Sequence, residues 1–96
     1  MKILGHNYKI IFDNKLDFND RTAAQCSVGD LWIKISSLHP DTRQQEGLLH
    51  EIMEALNYHL ALKLEHEKIE AFSEGLFQVL NDNGLWKEFD FKKLKR

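Results

Sequence analysis

His50, Glu51 and Glu54 stand together in the stretch GLLHEIMEAL, Gly47 to Leu56. On a helix, residues four apart lie one above the other, so His50 and Glu54 can point at a common ion. Zinc takes imidazole nitrogen and carboxylate oxygen at about 2.0–2.2 Å, so this pair is chemically sound as part of a zinc site. Glu51 is offset by roughly 100° around the helix, which places it beside such an ion rather than on it. There a carboxylate can serve as general base toward a water that the metal has made acidic. The spacing is that of the His-Glu-x-x-His helix of zinc hydrolases, with Glu54 where the second His would stand. The same three residues also suit the solvated face of an amphipathic helix, and the pair by itself does not separate the two readings.

The elements that must position these residues can be read from periodicity and turn chemistry. The expected fold is α+β: a small antiparallel N-terminal sheet packed on two helices, the first carrying the HExxE motif. Residues 1–38 are mainly strands. Tyr8, Ile10 and Phe12 alternate on one side of YKIIF before the turn-forming Asp13-Asn14. LDFNDR suits a loop or a short strand. AAQCSV and LWIKIS flank Gly29-Asp30 as a hairpin, with Ile33 and Ile35 facing one way and Trp32 and Lys34 the other. Pro40, Asp41 and Gln44 form a capping-box pattern. It opens a motif helix spanning 41–61, with Leu49, Ile52, Met53, Leu56 and Leu60 as the apolar stripe. A second helix over 66–82 carries Ile69, Phe72, Leu76, Val79 and Leu80, and it ends at NDNG, whose residues tolerate left-handed backbone. Residues 85–96 are expected to be a C-terminal tail, with LWKEFDF capping the core or adding an edge strand before the basic KKLKR.

Composition narrows the class of function. At 96 residues, 43% hydrophobic and 29% charged, the chain fits one ordinary globular domain. A net charge of −2 provides no electrostatic case for nucleic acid or membrane as main partner. No apolar run approaches the roughly 20 residues of a membrane span, and the N-terminal MKILGHNYKIIF reads as a strand rather than a signal peptide. The single Cys26 has no internal disulfide partner, so a cytoplasmic setting is expected.

The second half of the chain resembles a group of small, mostly phage- and mobile-element-encoded proteins. They look like minimal zinc metallopeptidases, distantly akin to the ImmA/IrrE-type and SprT-like domains. The matching segments are LLHEIMEAL and LFQVLNDN, with Phe77 where Tyr is common. Together they cover roughly half the chain; the N-terminal strands agree only in pattern. In the form with Glu at the second ligand position, the group tends to carry a His at the start of the next helix, which is His66 here. The resemblance therefore implies a Zn2+ ligand set of His50, Glu54 and His66, with Glu51 as catalytic base. Two imidazoles and one carboxylate make a known catalytic zinc shell.

Where the first helix ends decides whether His66 can serve. A helix reaching Ala61 would leave His66 near the apex and favour Glu70 or Glu74, one turn apart on the second helix. A break near Tyr58 would let His66 fold back. The resemblance further implies hydrolysis of a peptide bond in a protein or peptide substrate, such as a host or phage regulatory protein. A non-catalytic metal-binding or protein-interaction module, with an apolar surface around Trp86, Phe89 and Phe91, is the alternative. Of the remaining residues, Tyr58 and His59 suit packing or the surface, His6 and His39 suit loops, and Cys26 suits the core. Trp32 and Trp86 suit the core or its rim, and KKLKR a solvated end rather than a nucleic-acid contact.

Overall fold

The computed structural model describes residues 1–14 and 24–86. LDFNDR, Phe89, Phe91 and KKLKR lie outside the described residues. Strands β1 (Lys2–Ile3) and β2 (His6–Asn7) form an antiparallel pair about Leu4-Gly5. Both residues of that turn have positive φ, 51° and 83°. Strands β3 (Lys9–Asp13), β4 (Ala24–Ser27) and β5 (Trp32–Ser36) form a second sheet in the order β3-β5-β4. Helix α1 (Asp41–His59) lies across β4 and β5, and α2 (His66–Asp82) packs on α1. The fold class is α+β. Among the described residues no helix is long and apolar enough to cross a membrane.

The second sheet is mixed rather than wholly antiparallel. The β4–β5 hairpin is antiparallel, pairing Cys26 with Ile33 and Ala24 with Ile35, whereas β3 runs parallel to β5, from Lys9 opposite Trp32 to Asp13 opposite Ser36. The hairpin partner occupies one edge of β5, so β3 takes the other edge and runs in the same direction as β5. Alternation along β5 sends Ile33 and Ile35, both 0% exposed, into the core. On the outer face Lys34 lays its ammonium 4.5 Å from the Trp32 ring centroid. In the β4–β5 turn, the Asp30 backbone N–H donates to Ser27 Oγ at 3.2 Å. The left-handed residue of that turn is Leu31, with φ 58°, and not Gly29.

The core joins Ile3, Tyr8, Ile33 and Ile35 of the strand region to Leu48 and Ala55 of α1. Leu49 is buried, and Ile52 and Leu56 pack partly against the core, while Leu60 is half-exposed beyond the helix end. The inward face of α1 is therefore turned toward Leu48, Glu51 and Ala55 relative to the expected stripe. On α2 the buried line is Ile69, Ser73 and Phe77, spaced by four. Phe72 and Val79, expected in the stripe, are exposed. Among the described residues α1 is the main element that α2 packs against, with Trp86 on Phe77, so a narrow seam suffices to bury it.

The start of α1 departs from a capping box. Pro40 is the N-cap and Asp41 the first helical residue, where its charge suits the helix N-terminus. The Gln44 side chain reaches back instead to donate to the His39 carbonyl at 2.7 Å.

Both helices end in the same way. Leu62 N–H donates to the Asn57 carbonyl at 3.0 Å and Ala61 N–H to that of Tyr58 at 3.2 Å. At the end of α2, Leu85 N–H donates to the Leu80 carbonyl and Gly84 N–H to that of Asn81. These are Schellman closures, which need a left-handed residue just past the cap. The second uses Gly84 at φ 71°, but the first uses Ala61 at φ 51°. Ala61→Gly should therefore stabilise the protein by about 1 kcal/mol, because a β-carbon is disfavoured in that conformation. A urea titration checks this: the midpoint should rise at unchanged slope, and a fall would show that Ala61 is not strained.

Candidate metal centre

The helix reversal is what brings the chemistry-bearing residues together. α1 stops at His59, close to the earlier of the two expected ends, and the connection occupies residues 60–65. Asn57, in the last turn of α1, then clamps the returning chain. Its Nδ2 donates to the Leu64 carbonyl at 3.2 Å, and its Oδ1 accepts from Leu64 N–H at 3.0 Å. Two residues beyond that clamp, His66 opens α2 over the His50/Glu54 face of α1.

His50, Glu54 and His66 each offer a ligand atom, and these atoms lie within 4.8 Å of one another. His66 Nδ1 is 3.8 Å from Glu54 Oε2, and the His50 and His66 ring centroids are 5.1 Å apart at 68°. Tetrahedral zinc with bonds near 2.1 Å sets its donors roughly 3.4 Å apart. The donors stand somewhat wider than this, and the His66 side chain is 64% exposed. The donor chemistry fits a divalent metal: two imidazoles, one carboxylate, and room for a further ligand on the cavity side. This cluster can hold a metal ion. Glu70 and Glu74 are not part of it, although both line the cavity.

The cavity beside the cluster measures about 530 Å³, and its wall includes Cys26 and Trp32 from the sheet, Glu51 from α1 and Ser73 from α2. Glu51 is 7% exposed, and burial pushes its carboxyl up to about 8, with the charge of Glu54 adding to the shift. Burial lowers the pKa of His50; Glu54 opposes that shift and a charge on His66 assists it. A neutral imidazole is the form that binds metal.

Two participants were not legible in the residue pattern. Ser73, 1% exposed, lies 3.3 Å from His50 Nδ1 through its Oγ. Cys26 packs partly buried against the core, as expected, and it also lines the cavity wall, close enough to Glu51 and Glu54 to feel both charges. Pairing of β4 with β5 puts Cys26 on the same face as Ile33, the face that α1 covers. Only knowledge of that pairing, with α1 lying over it, could have placed Cys26 near the motif.

The other histidines and tyrosines of the motif helix and its neighbours are occupied elsewhere. Tyr8 Oη shares a 2.6 Å hydrogen bond with His59 Nε2, and His6 stacks on the His59 ring at 4.5 Å. Tyr58 packs its edge against the same ring. This group ties the β1–β2 hairpin to the end of α1. His39 lies in the loop before α1.

No protein-family model, curated protein or solved structure matches this chain. The site is therefore defined by its own geometry.

Cys26 reports on the electrostatics of the cavity. Burial, followed by the charges of Glu51 and Glu54, pushes its thiol up to about 11. The raised value keeps the thiol protonated through neutral pH, and thiolate appears only as the pH climbs toward 11. At pH 8 roughly one part in a thousand is ionised, against roughly a quarter for a thiol near 8.5. Iodoacetamide should therefore alkylate the native metal-free protein about a hundredfold more slowly at pH 8 than it alkylates the urea-unfolded chain. Glu54→Gln should speed the native reaction. Equal rates in native and unfolded protein would show that Cys26 does not sit among these groups.

Proposed function

We propose that this protein is a small zinc-dependent hydrolase of peptide bonds, holding Zn2+ through His50, Glu54 and His66 and using Glu51 as general base. The observation that supports this reading most directly is the convergence of these three donor groups, from two helices, beside a cavity lined by His50, His66 and the buried Glu51. The likeness of LLHEIMEAL and LFQVLNDN to minimal zinc metallopeptidases of phages and mobile elements points the same way. The lone Cys26 suits a cytoplasmic setting.

When bound, zinc supplies Lewis acidity, which makes a water acidic enough to lose its proton near neutrality. The remaining work falls to the chain. His50 and Glu54 present their donors from successive turns of one rigid helix, and His66 closes the set from the other. Glu51, one residue past His50, lines the cavity; the positive charge of a bound zinc would favour its ionised form, which can take the proton and deliver it to the leaving amine. Its burial keeps bulk water from competing for that proton. The wall from β4 and α2 gives the substrate chain a surface to lie on beside the ligands.

A specific observation favours a second reading, a metal-stabilised protein-interaction module. Leu60, Leu62 and Leu64 in the connection and Phe72 and Val79 on α2 are all exposed. That much apolar surface on the connection and on α2 suits contact with a protein partner. The same surface suits recognition of a host or phage regulatory protein as substrate.

Metal analysis and two substitutions decide between the readings. The untagged protein should carry about one zinc per chain, and His66→Ala should weaken Zn2+ binding by at least tenfold in a chelator competition. Glu51→Gln should keep the zinc and lose peptide hydrolysis by a factor of about a hundred or more. Correctly folded protein that takes up no added zinc would refute the metal site. Retained zinc with no hydrolysis of any protein or peptide by the wild type would leave the interaction module as the function.

A further inference from the structure

The hydrogen bond between His50 and Ser73 has a direction that the surrounding atoms dictate. Ser73 is 1% exposed, and its hydroxyl lies between two protein partners, the Glu70 carbonyl and His50 Nδ1. It has a single proton to give, and of its two partners the Glu70 carbonyl one turn earlier on α2, at 3.0 Å, is nearer than His50 Nδ1. A carbonyl oxygen can only accept. With its proton on that carbonyl, Ser73 Oγ offers its lone pairs to His50 Nδ1, 3.3 Å away, and the nitrogen is the donor. A neutral imidazole carries one proton. With that proton on Nδ1, the lone pair sits on Nε2, the nitrogen that remains to bind a metal.

We infer that Ser73 is a positioning residue: it accepts from His50 Nδ1–H, selects that tautomer, and so presents Nε2 as the metal donor. The inference rests on His50 being a ligand, as proposed above. It assigns α2 a second contribution to the site. That helix supplies His66 at its first residue and, two turns further on, the group that orients the ligand on α1. Glu70 takes part twice, since its carbonyl fixes the Ser73 proton while its carboxylate stands 4.0 Å from His66 Nε2. Partners of this kind fix ring orientation and tautomer in metal sites generally, and removing one typically weakens metal binding 10- to 100-fold. A serine at a buried seam position between two helices would otherwise be a poor choice, because Ala fills the same space without a polar atom to satisfy.

The test uses full-length, metal-free, 15N-labelled protein at a pH where imidazole is neutral. Long-range proton–nitrogen correlation spectra report which nitrogen of His50 carries the proton, which a purely structural role for Ser73 would not affect. In the wild type His50 should be protonated at Nδ1. Ser73→Ala should lose that preference and bind Zn2+ at least tenfold more weakly in chelator competition, with an unchanged circular dichroism spectrum. Ser73→Thr, which keeps the hydroxyl, should restore both. A wild-type His50 protonated at Nε2 would overturn the assignment even if Ser73→Ala fails to fold, as would a Ser73→Ala protein with the wild-type tautomer. The two readings fail separately: zinc binding with the Nε2–H tautomer sinks the role of Ser73, and the Nδ1–H tautomer without zinc binding sinks the metal site.

Discussion

Everything chemical in this molecule depends on reversing the chain between two helices in six residues. His50 and Glu54 would be an ordinary polar pair on a helix face if α2 did not return across them. The reversal is held by backbone bonds of the Schellman closure at Ala61 and by the Asn57 amide, which pairs with both polar groups of Leu64. Each of these bonds also satisfies a polar group that the end of α1 or the connection would otherwise leave unpaired. The backbone takes a left-handed residue twice, at Ala61 and Lys63, and neither is glycine. Such conformations disfavour a β-carbon, so they persist where the surrounding bonds over-determine them. Local strain and site geometry therefore share one origin.

The sheet supplies the opposite constraint, a rigid floor. Ile33 and Ile35 anchor β5 in the core, and β4 is held to it in a register that carries Cys26 beneath α1. Glu51 points from α1 toward this floor and consequently loses water. A carboxylate in that position would weaken a purely structural helix, since burial of a charge with no hydrogen-bond partner is costly. Its burial places a titratable group in the wall of the cavity at that cost. Polar groups placed where stability alone would put leucine are one physical mark of a functional surface.

Local features were the ones legible in the residues. The motif spacing, the hairpin at Gly29-Asp30, the boundaries of α2 and the left-handed Gly84 all follow from interactions within a few positions of each other. Features that depended on partners were not. The parallel pairing of β3 with β5 links residues more than 20 apart and leaves no mark on alternation. The inward face of α2 could not be found from hydrophobicity, because the buried line includes Ser73 while Phe72 faces out. Ser73 was hidden for the same reason: a serine within an apolar helix looks like a neutral spacer until the His opposite it is known. His66 was within reach only because the resemblance named the start of the next helix, and the observed end of α1 at His59 is what allows it to fold back.

Placing the carboxylate of the cluster at position 54 and an imidazole at position 66 has an electrostatic consequence that counting charges alone would miss. A set of two imidazoles and one carboxylate carries the same total charge whichever helix holds the carboxylate. A Glu at position 54 therefore does not, by itself, make the complex less positive once His66 is included. What changes is where the negative charge sits. On α1 it lies three residues from Glu51, close enough that it raises the pKa of Glu51 beyond what burial alone does. A His at position 54 would not exert that repulsion, and a Glu at the start of α2 would exert it from another direction. A metal held by Glu54 would screen its charge from Glu51, and would thereby couple occupancy of the cluster to the proton affinity of the neighbouring carboxylate through a single side chain.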